Sequence, residues 1–173
     1  MNNQKTVELI QHSTCEVLSM MLGVQAEAGE PYEESGTTET FSGIVSLVSV
    51  SGDWAGMGSI YCGTELALKL TGMMLLDDQV STVNDDVLDA MAELGNMIVG
   101  NVKTMLEAEL GPLALSIPTV ICGRNYRALN GIGKTRIVVP FEVAGGTMIV
   151  KFYILPQASA NRLRQAGVVQ NVA

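Results

Sequence analysis

The chain has 173 residues, 47% of them hydrophobic and only 16% charged, which suits one domain with a sizeable core and excludes extensive disorder. Net charge is −8, with 10 basic against 18 acidic side chains, so a nucleic-acid partner needing clustered cations is excluded and an electrostatically matched protein fits better. No apolar run approaches the ~18 residues that span a bilayer, and the N-terminal "MNNQKTVELIQHS" lacks the apolar stretch of a secretory signal.

Three scattered cysteines, Cys15, Cys62 and Cys122, read as buried reduced thiols rather than a disulfide framework or a metal site, so a cytoplasmic location is expected. The first predicted element is a helix over 5–22. Val7, Val17, Leu18 and Met21 face its core, and Gly23 serves as its C-cap. The Glu-rich, Gly/Pro-interrupted "EAGEPYEESGTTET" reads as a solvated connector. "FSGIVSLVSVSGDWAGMGSIYC" predicts two strands turning at "SGD". A helix follows, opened by Thr64 with Glu65 in its first turn. Asn84 caps a long helix over 85–109, with Asp85 and Asp86 matched to its dipole and Gly111-Pro112 ending it. "LALSIPTVICG" predicts a strand interrupted at Pro118, "RNYRALNGIG" a loop, and "KTRIVVPFEVAGGTMIVKFYILP" a hairpin turning at Gly145-Gly146. "ASANRLRQAG" predicts a terminal helix.

This order repeats. A helix, a glycine-turned hairpin and a short helix occupy residues 5–75 and again 85–167. Gly52 falls against Gly145, Leu70 against Leu163, Glu16 against Glu93 and Ser19 against Asn96. An ancestral duplication within one domain accounts for both the matches and their order. The expected fold is α+β, with duplicated helix–hairpin–helix halves and an antiparallel sheet carrying two long helices on one face.

At about 100° per residue, Val87, Met91, Leu94, Ile98, Val102 and Met105 share the core stripe of the long helix. Asp89, Glu93, Asn96 and Gly100 gather on the opposite side, and His12, Glu16, Ser19 and Gly23 do the same on the first helix. A solvated face is the bland account. Against it, Asn96 costs several tenths of a kcal/mol in helix propensity and Gly100 about 0.8–1.0 kcal/mol, with no packing gain expected outside. An outward glycine clears room for another surface, whereas Gly95 sits nearer the core and implies close helix packing. No Ser, Cys or His shares the stripe, and a convex face offers no cleft for paired-carboxylate hydrolysis. A carboxamide donates and accepts hydrogen bonds at once, so it can orient a water. A carboxylate one turn away can anchor a partner's lysine.

The pattern D-x-x-x-E-x-x-N on a long helix, here Asp89, Glu93 and Asn96 with Pro118 downstream, resembles the signature of the CheC/CheX/FliY chemotaxis phosphatases. The duplicated layout is similar to that family's fold over nearly the whole chain. The resemblance implies hydrolysis of the aspartyl phosphate of a CheY-like response regulator. Asn96 would align the attacking water, Glu93 would hold the receiver's lysine, and Asp89 and Gly100 would support docking. Only one copy of the pair is intact, as in the CheX branch, so Glu16 and Ser19 would mark a degenerate second site and a homodimer is implied. The resemblance implies no metal in this chain, with Mg²⁺ held by the phosphorylated receiver. A non-catalytic receiver-binding adaptor or flagellar-switch module using the same face is the alternative, and a purely structural dimer the third reading.

Other signals are turned down. "ALNGIGKT" has Ala128 where a phosphate-binding loop needs glycine and leads into a strand-like segment. His12 has no second ligand at metal spacing. Trp54 reads as a packing anchor. The basic loop from Arg124 to Lys134 reads as solvated, with contact to an acidic receiver surface as the alternative.

Overall fold

The computed structural model describes residues 3–35, 38–129 and 135–159. Three helices, α1 (Asn3–Leu22), α2 (Thr64–Leu75) and α3 (Asp85–Leu110), accompany eight strands: β1 (Ala26–Ala28), β2 (Tyr32–Ser35), β3 (Thr38–Gly52), β4 (Trp54–Cys62), β5 (Leu113–Leu115), β6 (Thr119–Leu129), β7 (Thr135–Val143) and β8 (Gly146–Pro156). All strand pairs are antiparallel, in the order β1-β7-β8-β4-β3-β5, with β2 also on β7 and β6 also on β3. The two long hairpins therefore sit side by side, β4 against β8. Most of the predicted terminal helix, residues 160–167 with Leu163, lies outside the described residues, as does the loop stretch 130–134 with Lys134.

Periodicity explains the layers. Val48, Ile60, Val150 and Phe152 alternate onto one face of the sheet, where Ile10, Leu18, Leu70, Leu94 and Ile98 of the helices meet them in one core. Asn84 accepts a hydrogen bond from the Val87 amide at 3.1 Å, starting α3 as expected. Gly23 closes α1 at φ +65°, its amide donating to the Ser19 carbonyl. α1 and α3 run antiparallel, tied by the Lys5–Glu109 ion pair at one end and by Asn101 donating to Glu16 at 3.4 Å further along.

Several expectations are corrected. The Glu-rich connector holds β1 and β2, which each cover part of the β7 edge. Glu34 on β2 pairs with Arg136 and with the buried Lys151, each at 2.9 Å, and the Lys151 ammonium lies 5.5 Å from the Phe41 ring centre. Arg124–Leu129 extend β6 instead of forming a loop, paired with the far end of β3 beyond a bulge at Ser42. The N-cap of α2 is Gly63, not Thr64, and no side chain caps it. The last hairpin turns at Ala144-Gly145, with Gly146 already in β8. Met21 is exposed because α1 ends beside it, and on α3 Leu106 is fully buried while Met105 is half-buried. Cys62 is buried, its thiol pushed up to about 12 by desolvation, but Cys122 is exposed on β6; all three cysteines are free.

Two glycines set how closely α3 lies on the sheet. A Cβ on Gly95 would meet the Ser46 hydroxyl oxygen at 2.5 Å, and one on Gly58 would meet Val99 at 2.4 Å. Gly58→Ala should therefore destabilise the fold by about 1–3 kcal/mol through overpacking, read as a lower urea midpoint.

The carboxylate of Glu107 anchors the chain after α3: it accepts from the Leu113 amide at 2.9 Å and pairs with Lys103 at 2.8 Å. Those two hydrogen bonds hold its pKa below the ordinary glutamate value. A depressed folded-state value means the stabilisation is present above the ordinary value and is lost as pH falls through the folded one. Wild-type stability should drop more steeply in that acidic window than stability of Glu107→Gln, measured by denaturant titration across pH.

Candidate functional site

The outward arc of α3 carries Asp89 and Glu93 exposed, Asn96 half-buried and Gly100 half-buried. Its rotation follows from the packing beneath: Leu94, Gly95, Ile98 and Val99 are buried against the sheet, so residues 93, 96 and 100 have to point away from it. Residues three apart on a helix sit about 5–6 Å apart at Cβ, which places the Glu93 carboxylate and the Asn96 carboxamide within reach of one bound group. Among the described residues, no hydrogen bond or ion pair engages the side chains of Asp89, Glu93 or Asn96. The carboxamide is thus held on a rigid helix with its donors and acceptor open.

Gly100 differs from expectation. It is not bare: a Cβ there would lie 3.6 Å from the Cδ1 of Leu115 on β5, an ordinary contact. Sequence periodicity could not reveal this neighbour, because β5 returns along the outer flank of α3 only after the turn at Gly111. Gly100→Ala is expected to raise stability by about 0.5–1 kcal/mol through helix propensity, read as a higher melting temperature, since the space for a methyl exists.

On α1, Glu16 and Ser19 are exposed and lie along the seam with α3. Here the carboxylate is occupied. Glu16 accepts from Asn101 and stands 3.8 Å from His12, while Ser19 offers a hydroxyl in place of a carboxamide. Asn101 is the partner that the sequence reading missed; its position in a seam shows only when the antiparallel register of the two helices is known. Pro118 is half-buried at the break between β5 and β6.

No group of three or more His, Cys, Asp or Glu side chains among the described residues is arranged to hold a metal ion. Two cavities, of about 460 and 330 Å³, are lined by other parts of the chain: one by Trp54, Phe152 and Tyr153, the other by the start of α2 and the β7–β8 turn. Neither is lined by Glu93 or Asn96, which stand on the outward surface of α3. No helix among the described residues is long and apolar enough to cross a membrane.

An antiparallel sheet with helices on one face, and an unpartnered carboxylate–carboxamide pair on the exposed arc of the long helix, defines the architecture of an α+β domain. Residues 44–142 match the family described as chemotaxis phosphatase CheX, and the chain belongs to that family. It is 26% identical over 123 residues to the CheY-P phosphatase CheX of Thermotoga maritima, an alignment covering 71% of this chain and 79% of that protein. A putative chemotaxis protein from Desulfovibrio vulgaris Hildenborough has a similar structure, with a TM-score of 0.77 at 26% identity, covering 87% of this chain and 97% of the other. The CheX chain of a CheX–CheY–BeF3–Mg²⁺ complex from Borrelia burgdorferi aligns with a TM-score of 0.72 at 25% identity, over 86% of this chain and 96% of its own.

Proposed function

We propose that the protein accelerates hydrolysis of the aspartyl phosphate of a CheY-like response regulator by placing Glu93 and Asn96 in the receiver's active site. The observation that carries this reading is the open carboxamide of Asn96 beside the exposed Glu93 on a helix that the sheet holds in one orientation. Membership of the CheX family supports it, as does a relative named as a CheY-P phosphatase. A related CheX is found in complex with CheY, BeF3 and Mg²⁺.

In this mechanism the Asn96 carboxamide holds one water in line with phosphorus. The water oxygen bonds to phosphorus as the bond from phosphorus to the aspartyl oxygen breaks, giving a free carboxylate and inorganic phosphate, which takes up the water's proton. Glu93 pairs with the receiver's lysine and so sets the depth of insertion, with Asp89 supporting the approach and Gly100 keeping the face low. The Mg²⁺ belongs to the receiver, and this chain supplies no metal ligand. Glu16 and Ser19 form a silent second site, because the carboxylate is engaged within the chain and the carboxamide is missing. The active form is a homodimer in the cytoplasm.

Aligning one water accounts for about 10²–10⁴ in rate. Asn96→Ala should lose about that factor in phosphate release from a phosphorylated CheY-like receiver while keeping the wild-type melting temperature. Unchanged acceleration in that variant overturns the mechanism. Saturable binding by wild type with no change in the receiver's phosphate lifetime overturns the activity and favours the adaptor.

A further inference from the structure

The corner between β5 and β6 carries Ile117, an isoleucine 87% exposed to solvent. A single exposed apolar side chain is ordinary on a protein surface; what sets this one apart is that hydrogen bonds hold the backbone that carries it. The Ser116 amide donates to the Ser49 carbonyl at 3.0 Å, the Ser49 amide donates to the Ser116 hydroxyl oxygen at 3.0 Å, and that hydroxyl donates to the Ile117 carbonyl at 2.8 Å. Pro118 then restricts the backbone of Ile117 itself.

The corner also lies beside the catalytic turn. The Leu113 amide meets Glu107, and Leu115 lies against Gly100, so β5 runs along α3 toward the N-terminus of the helix. Val120, just past the corner, pairs with Ser46, the residue directly beneath Gly95. Residues 116–119 therefore span the stretch of α3 from Gly100 to Gly95. That is the turn that presents Asn96.

We infer that Ile117 is an apolar docking anchor for the receiver domain that engages Glu93 and Asn96. The inference rests on the proposed receiver partner and adds a second point of contact, on the flank of the helical turn that carries Asn96. Two charged or polar groups on one convex helix fix orientation poorly by themselves, and a rigid isoleucine beside them supplies buried apolar area without an ordering cost. Its contribution is to binding, not to the chemical step.

The experiment measures both the affinity for a phosphorylated CheY-like receiver and the rate of phosphate release against receiver concentration. Removing an isoleucine's buried area from an interface corresponds to about 10–100-fold in affinity. Ile117→Ser should raise Kd and KM by about that factor, with kcat at saturation and melting temperature unchanged, and Ile117→Leu should restore binding. Tyr32→Ser, which alters another exposed apolar side chain at the opposite edge of the sheet, should leave both constants as in wild type. Unchanged Kd and KM in Ile117→Ser overturn the inference. So does a change in the assembly's mass by sedimentation, which would assign the corner to a second copy of the chain. Wild type that binds without accelerating phosphate loss overturns the phosphatase reading alone, and the Ile117 comparison is then read in Kd; wild type that does neither overturns both.

Discussion

The contact between α3 and the centre of the sheet governs the rest of this molecule. Gly95 lets the helix settle on Ser46, and Val99 fills the space that Gly58 leaves open in β4. With both contacts made, α3 has one rotation. Turning it by a single residue, about 100°, would drive a side chain into Ser46 and lift Val99 off Gly58. The outward arc is thereby fixed, and Asn96 is the immediate neighbour of the most closely seated residue in the helix. A group that the proposed mechanism would place inside another protein gains most from standing next to such a contact.

The open side chains on that arc cost the fold little. Asp89 and Glu93 are exposed and Asn96 is only half-buried, so water satisfies their polar atoms in the free protein. The matching face of α1 shows the other outcome. Glu16 is satisfied within the chain by Asn101 and lies near His12, and Ser19 is too short to reach outward as a carboxamide does. The two helices share a pattern of polar positions, yet Glu16 is engaged within the chain and Glu93 is not. Burying Glu16 against a partner would first require breaking its link to Asn101, a cost that Glu93 does not carry.

Much of this was legible in the sequence because helices announce themselves through period and punctuation. The core stripe of α3 from Val87 to Val102, the Asn84 cap, the Gly23 and Gly111 ends and the outward set at 89, 93, 96 and 100 all follow from local rules. Features set by distant partners did not follow. β1 and β2 read as loop because edge strands are half-solvated and here rich in glutamate, and the partner that buries part of Glu34 is Lys151, far along the chain. Met21 kept helical phase with the core but lies where α1 runs out of core to cover. Cys122 was taken as buried from its apolar neighbours, whereas β6 is an edge strand. Leu115 against Gly100 and Asn101 against Glu16 required the tertiary register of β5 and α1.

A convex site has a consequence for control. A pocket enzyme holds its catalytic groups around substrate before chemistry begins, whereas on the proposed reading Glu93 and Asn96 would be enclosed only when a concave partner closes over them. In the proposed mechanism the water that Asn96 orients would have no fixed place in the free protein, so the entropy advantage of alignment would exist only in the complex. Specificity then lies in whatever determines docking, which places it on residues flanking the pair. The rigid corner at Ser116–Pro118 and the apolar, exposed end of α1 at Met20 and Met21 become more informative about the substrate than the two chemical groups themselves. A carboxamide and a carboxylate on a helix are common; on the proposed reading, the shape of the ground around them would decide which receiver they meet.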